Sequence, residues 1–162
     1  MAITDFYDRG WGINPTGIAY IQDDRSYTFD EVGELSCRIA NRLLSLGLSR
    51  ESKGAVWAGN DVTAWACTLG LWRANMAWIP VNARNSAEDN HFILDAFDCE
   101  VMFYQSQFAG VIEQLRPTLS GIQHWVCIDV HFLRFVRNSL YTCASSLLNL
   151  VSLRLDIFAT TT

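Results

Sequence analysis

The sequence predicts an α/β fold: an open, mostly parallel, doubly wound sheet with flanking helices and an N-terminal hairpin. Short apolar runs alternate with helical periodicity in units of ~20–25 residues, the pattern of right-handed βαβ crossovers. Capping chemistry stands at the joins, with Thr28, Asn60 or Asp61, and Ser86 each opening a helical stretch. No internal repeat or low-complexity linker interrupts the series. At 162 residues the chain has room for one domain, which at this size buries roughly 68–70% of its unfolded surface.

The elements follow in order. Ile18–Ile21 and Tyr27–Phe29 are β-favouring runs on either side of Asp23-Asp24, a hairpin with its turn. Thr28 followed by Glu31 is a capping box that starts a helix. In that helix Val32, Leu35, Ile39, Leu43 and Leu46 recur at helical steps and give one apolar face. Gly47 then sits where a helix end wants a left-handed residue. Ala55–Ala58, bounded by Gly54 and Gly59, reads as a buried strand. The next helix, capped by Asn60 or Asp61 and running to Asn75, is apolar nearly all round, which calls for packing on more than one side. Ala77–Val81 is a strand whose Pro80 places it at an edge or a strand end. Ser86 with Asp89 caps a third helix through Phe97. Glu100–Tyr104 is a strand, Phe108–Leu115 a short helix ended by Pro117, and Gln123–Ile128 a last strand.

Composition narrows the function classes. Half the residues are apolar and 18% are charged, which places the chain among globular proteins. A net charge of −5 supplies no basic patch for nucleic acid and no polybasic membrane signal. The opening MAITDFYDRGWGINPTG has neither a basic n-region nor an apolar h-region, so no secretory signal is expected there. The five cysteines are widely spaced without a CxxC; they read as free thiols in a reducing setting, and the expected location is cytoplasmic. His91, His124 and His131 lie near no cysteine pair with finger spacing, so no metal site is expected.

Catalytic motifs are missing. There is one lysine, Lys53, and no GxxxxGK[ST] phosphate loop around it. No GxGxxG follows a strand, and GxSxG, HExxH and EF-hand loops do not occur. Asp95 and Asp98 read as a solvated helix face, and Trp57, Trp65, Trp72, Trp78 and Trp125 as core packing rather than a stacking platform.

The composition shifts after Asp129. Residues 1–129 carry sixteen acidic and nine basic residues, whereas 130–162 carry one acid, Asp156, against three arginines. Residues 138–153 are uncharged, short of the ~20 residues that span a bilayer. Residues 130–162 therefore read as a membrane anchor, a packed amphipathic helix, or a stretch foreign to the domain from a shifted frame or intron read-through. Membrane attachment is the least expected of these.

Over about residues 5–129 the chain resembles the AMP-forming acyl-CoA synthetases of the adenylate-forming superfamily. The family's "T-[YF]-x-E" helix start is matched by Thr28, Phe29 and Glu31, and its "A-N-x-L-x-x-L-G" helix by Ala40, Asn41, Leu43, Leu46 and Gly47. A buried strand then leads to an asparagine, Val56 to Asn60. The "A-G-A-V-x-V-P-L-N" passage is matched loosely by Ala74 to Asn82, and "I-L-x-D" by Ile93-Leu94-Asp95. Two departures occur. Glu51-Ser52 replaces the family's glycine-aspartate pair, and Ala74-Asn75 replaces Ala-Gly, where asparagine still tolerates a left-handed conformation.

The resemblance implies a parent reaction in which a carboxylic acid attacks the α-phosphate of ATP, with Mg, to give an acyl-adenylate that CoA then takes. The family's phosphate loop and catalytic lysine have no counterpart in this sequence, so no catalytic residue and no cofactor of its own are expected. The reading is a truncated N-terminal fragment of an acyl-CoA ligase, inactive alone. The alternative is a non-catalytic binding or dimerisation module, self-associating or pairing with a full-length ligase. The one site residue pair singled out is Asn82 and Arg84, on the loop at a strand's carboxyl end where open α/β sheets place ligands; the competing reading is a structural loop with a surface arginine.

Overall fold

The computed structural model describes residues 2–130 and 132–137; the uncharged run at 138–153 lies outside them. The element order is α1 (Asp5–Ile13), β1 (Ile18–Gln22), β2 (Arg25–Thr28), α2 (Phe29–Ser45), β3 (Lys53–Trp57), α3 (Val62–Arg73), β4 (Ala77–Pro80), α4 (Ala87–Ala96), β5 (Val101–Tyr104), α5 (Ala109–Leu115), β6 (His124–Cys127) and α6 (Phe132–Val136). β1 and β2 form an antiparallel hairpin, and the other four strands form a parallel sheet in the order β4-β3-β5-β6. The α/β class, the parallel sheet and the hairpin are as the sequence predicts.

Local chemistry explains the boundaries. Thr28 accepts from the Glu31 N–H at 3.2 Å while the Glu31 carboxylate takes the Thr28 N–H at 2.8 Å, completing the capping box. At the other end of α2, Gly47 (φ 85°) donates to Leu44 and Leu48 donates to Leu43, a Schellman closure that buries Leu48. Asp61 caps α3 through the Ala64 N–H, and Ser86 caps α4 through the Asp89 N–H. Asn75 takes φ 61° at the turn out of α3, as its tolerance of that conformation allows. β4 is one of the two edge strands of the sheet, which accommodates Pro80.

The strands sort the core into two layers. Val56, Val101, Phe103 and Val126 pack with α2, α3 and α6, whereas Ala55, Trp57, Ile79 and Met102 pack with α4 and α5. Helices therefore cover both faces, the doubly wound arrangement. α3 buries eight of its twelve residues, which accounts for its lack of a polar face.

Several expectations need correction. α1 was not expected: two glycines, Gly10 and Gly12, interrupt it, and Thr4 makes no side-chain capping bond. Tertiary contacts hold it, with the Tyr7 hydroxyl donating to the Phe29 carbonyl at 2.6 Å and the Trp11 indole to Asp30 at 2.6 Å. β3 begins at Lys53, two residues before the apolar run, because pairing with both β4 and β5 extends it. Past the composition break, α6 contributes Phe132 and Val136 to the core and sets Phe135 edge-on to Phe103. Trp78 is 38% exposed on the edge strand rather than buried. Cys67, Cys99 and Cys127 are free thiols; Cys37 is disulfide-bonded and departs from that expectation. Cys143 lies outside the described residues. No helix among the described residues is long and apolar enough to cross a membrane.

Candidate functional site

Because the four sheet strands are parallel, their carboxyl ends share one rim, where open α/β sheets place ligands. Four segments meet there: Ala58–Asp61 after β3, Val81–Ser86 after β4, Gln105 after β5 and Ile128–Val130 after β6.

The β4–α4 loop carries the two residues singled out from the sequence. Asn82 accepts the Arg84 N–H on its side-chain oxygen at 2.9 Å, and its carbonyl accepts from the Asn90 side chain at 3.1 Å. Asn85 in turn donates to the Asn90 oxygen at 3.1 Å, and Asn90 is fully buried. A buried amide with both ends satisfied fixes the loop's shape. Asn82 and Arg84 are exposed, and neither lines the two cavities described below. Their neighbourhood is a loop clamped from beneath by Asn90, a residue the sequence reading did not single out.

Three donors elsewhere on the rim are taken by protein groups. The Gly59 N–H donates to Gln105 at 2.8 Å, the Val62 N–H to Gln22 of the hairpin at 2.7 Å, and the Ala64 N–H to Asp61 at 2.9 Å. The Gln22 amide also reaches the Asp61 carboxylate at 3.2 Å. The N-terminus of α3, a natural anion receptor, is thus occupied by a carboxylate and an amide from the chain itself.

On the far side of the rim Asp129 accepts from the Ser106 N–H at 2.9 Å, the Ser106 hydroxyl at 2.8 Å and the Cys127 thiol at 3.1 Å. Burial works against its charge, but the Ser106 and Cys127 bonds outweigh that and hold the Asp129 carboxyl below its ordinary value. Burial raises the Cys127 thiol, and the bond to Asp129 adds to the rise, so it is not an activated nucleophile. Burial likewise raises Tyr104. Among the described residues there is no group of three or more His, Cys, Asp or Glu placed to hold a metal ion.

Two cavities flank the hairpin. One of about 690 Å³ lies between β2, α2 and α6, with Arg25, Glu34, Arg38 and Asp129 in its walls. The other, about 510 Å³, lies between β1, the β3–α3 turn and β4, with Tyr20, Trp65, Trp78 and Asp61 in its walls. The described residues do not fit a nucleotide's phosphates: no glycine-rich loop offers free N–H groups, and the α3 N-terminus already holds a carboxylate.

Comparison with known proteins gives the family. The AMP-binding enzyme family matches residues 9–146. A 4-hydroxybenzoate–CoA/benzoate–CoA ligase of Rhodopseudomonas palustris is 27% identical over 128 residues, covering 78% of this chain and 24% of the ligase. Long-chain-fatty-acid–CoA ligase FadD13 of Mycobacterium tuberculosis is 25% identical over 122 residues, covering 72% of this chain and 24% of that protein. The chain thus spans about a quarter of the length of these curated relatives. Among solved structures, the N-terminal domain of FACL13 from Mycobacterium tuberculosis superposes with a TM-score of 0.81 at 21% identity, covering 90% of this chain and 38% of that one. The anthranilate CoA ligase AuaEII, solved in complex with anthranoyl-AMP, gives 0.83 at 19% identity over 88% of this chain and 28% of that one. The match over residues 9–146, most of the chain, makes it a member of the AMP-binding enzyme family.

Proposed function

We propose that this chain does the work of the N-terminal subdomain of an AMP-forming acyl-CoA ligase and does not adenylate an acid by itself. The parent reaction joins a carboxylate oxygen to the α-phosphorus of ATP, releasing pyrophosphate; the CoA thiol then displaces AMP from the acyl-adenylate. The observation that carries the reading is the self-satisfied rim: the N–H groups of Gly59, Val62 and Ala64 that could face a phosphate are bonded to Gln105, Gln22 and Asp61. The subdomain's role is then scaffolding, two covered sheet faces and a hairpin presented to the rest of a ligase. Relatives named for aromatic and fatty acids support the acid–CoA ligase class. The test is ATP–pyrophosphate exchange with Mg²⁺ and a panel of benzoate and medium- and long-chain fatty acids. Exchange at background is expected, and turnover with any acid overturns the reading.

Exposed apolar residues favour a second reading, a non-catalytic module that self-associates or pairs with a full-length ligase. Ile18 and Ile21 on β1 and Phe92 and Phe97 at α4 are all more than half exposed, and such surface tends to be covered. Light scattering across a concentration series decides it. Concentration-dependent association supports this reading, and a monomer throughout counts against it.

A further inference from the structure

We propose that the 510 Å³ groove between the hairpin and the sheet edge binds a small, free organic cation of the methylated-ammonium class. Three aromatic side chains from three elements wall it: Tyr20 of β1, Trp65 of α3 and Trp78 of β4. The only formal charge in its lining is the Asp61 carboxylate; no lysine, arginine or histidine lines it among the described residues. Aromatic faces carry a negative quadrupole and attract cations, most strongly for tryptophan, and a carboxylate adds to that attraction.

The walls are held in place before any ligand arrives. The Trp65 indole N–H donates to the Tyr20 hydroxyl. Trp72 braces both tryptophans edge-on, with ring centroids 5.7 Å from Trp65 and 5.8 Å from Trp78. Asp61 is fixed by the Ala64 N–H and the Gln22 amide. Preorganisation of this kind lowers the cost of ordering a site on binding. Trp78, 38% exposed, gives solvent access.

The sign of the ligand follows from the one formal charge in the groove's lining, the Asp61 carboxylate, which repels an anion. The Val62 and Ala64 N–H groups at this end of α3 are already bonded to Gln22 and Asp61. The positive end of the α3 dipole offsets about half of the Asp61 charge and leaves the remainder. A cation meets the aromatic side chains of Tyr20, Trp65 and Trp78 and that residual charge. This inference does not rest on the ligase reading, and the exchange assay neither supports nor damages it.

The experiment uses the full chain and follows tryptophan fluorescence. It is titrated with choline chloride, with the neutral isostere 3,3-dimethylbutan-1-ol, and with sodium acetate, all at matched ionic strength. Saturation by choline on the order of millimolar is expected, with the isostere about fivefold weaker and no response to acetate. Asp61→Asn keeps a good helix cap and is expected to bring choline down to the isostere's level. Trp78→Leu, on the exposed edge, is expected to weaken choline at least as much. Circular dichroism confirms that each variant is folded; if Asp61→Asn is not, the Trp78→Leu titration decides. Absence of saturation, equal response to the isostere, or unchanged choline binding in the folded variants overturns the proposal. So does co-sedimentation with phosphatidylcholine vesicles that free choline does not compete away, which would assign the groove to a membrane surface.

Discussion

Arg73 at the end of α3 and Asp8 on α1 form a two-pronged ion pair that pins the N-terminal helix to the body of the fold. The Arg73 side chain is 4% exposed. It also donates to Ser36 at 2.8 Å and lies over the Tyr7 and Trp11 rings. Breaking a buried pair leaves an uncompensated charge, which costs about 3–5 kcal/mol when both partners are buried. Asp8 is 38% exposed, so Asp8→Asn should cost less, about 1–2 kcal/mol, than the full penalty. Arg73→Ala should cost more than Asp8→Asn, because it also removes the contacts with the two rings. Urea unfolding of both variants measures the difference, and equal costs would assign all of the effect to the charge.

The two ends of α2 make separable predictions. Thr28→Ala removes one half of the capping box and should cost about 1 kcal/mol. Gly47 sits at φ 85° with nothing within 4 Å of where a Cβ would stand, so Gly47→Ala carries a conformational penalty without a clash, about 1–2 kcal/mol. Gly47→Asn should cost less than Gly47→Ala. Thermal unfolding ranks the three.

Asp129 ties the β5 and β6 ends of the rim in a way that depends on pH. Its folded carboxyl titrates below the unfolded value, so its contribution is fully present above the unfolded value and is lost as pH falls through the folded one. The stability difference between the native chain and Asp129→Asn should therefore be constant near neutrality and shrink below about pH 4. A difference that stays constant down to about pH 2 would mean the Ser106 bonds do not discriminate between the charged and neutral carboxyl.

Cysteine reactivity should follow burial. Burial pushes the Cys99 thiol up to about 12 and raises Cys67 well above its ordinary value. Both should resist iodoacetamide at neutral pH until the chain unfolds. Cys127 is raised less and is partly exposed, so mass spectrometry should find it alkylated first of the three, though more slowly than free cysteine.

Trp57 is 2% exposed, and its indole N–H has no hydrogen-bond partner among the described residues. An unsatisfied buried donor costs about 1–3 kcal/mol. Trp57→Phe removes the donor along with some buried area, so its net cost should stay within about 1 kcal/mol, whereas Trp57→Ala should cost about 3–5 kcal/mol. Denaturant midpoints of the two variants check the contrast.

The parts of this fold legible in the sequence are those set by local chemistry. Thr28 with Glu31, Ser86 with Asp89, Gly47 and Asn75 each act within a few residues of themselves, and all do what their side chains dictate. α1 was illegible because Tyr7, Asp8 and Trp11 are held by Phe29, Arg73 and Asp30, far along the chain. The candidate site divides in the same way. The loop of Asn82 and Arg84 could be placed at a strand end, but its clamp, Asn90, looks like any polar helix residue until the fold buries it. The closing of the α3 N-terminus by Gln22 was equally hidden, since 40 residues separate Gln22 from Val62.

The division of the core by the sheet has a consequence for how substitutions combine. Along β3, Ala55 and Trp57 answer to one layer and Val56 to the other; along β5, Met102 is set apart from Val101 and Phe103 in the same manner. Residues adjacent in sequence are therefore screened from each other by the backbone, while partners on neighbouring strands share a layer. Paired substitutions at Val56 and Phe103 should be non-additive, and those at Val56 and Met102 close to additive. The chain thus holds two independently tunable interiors, and one can accumulate change while the other keeps the sheet intact.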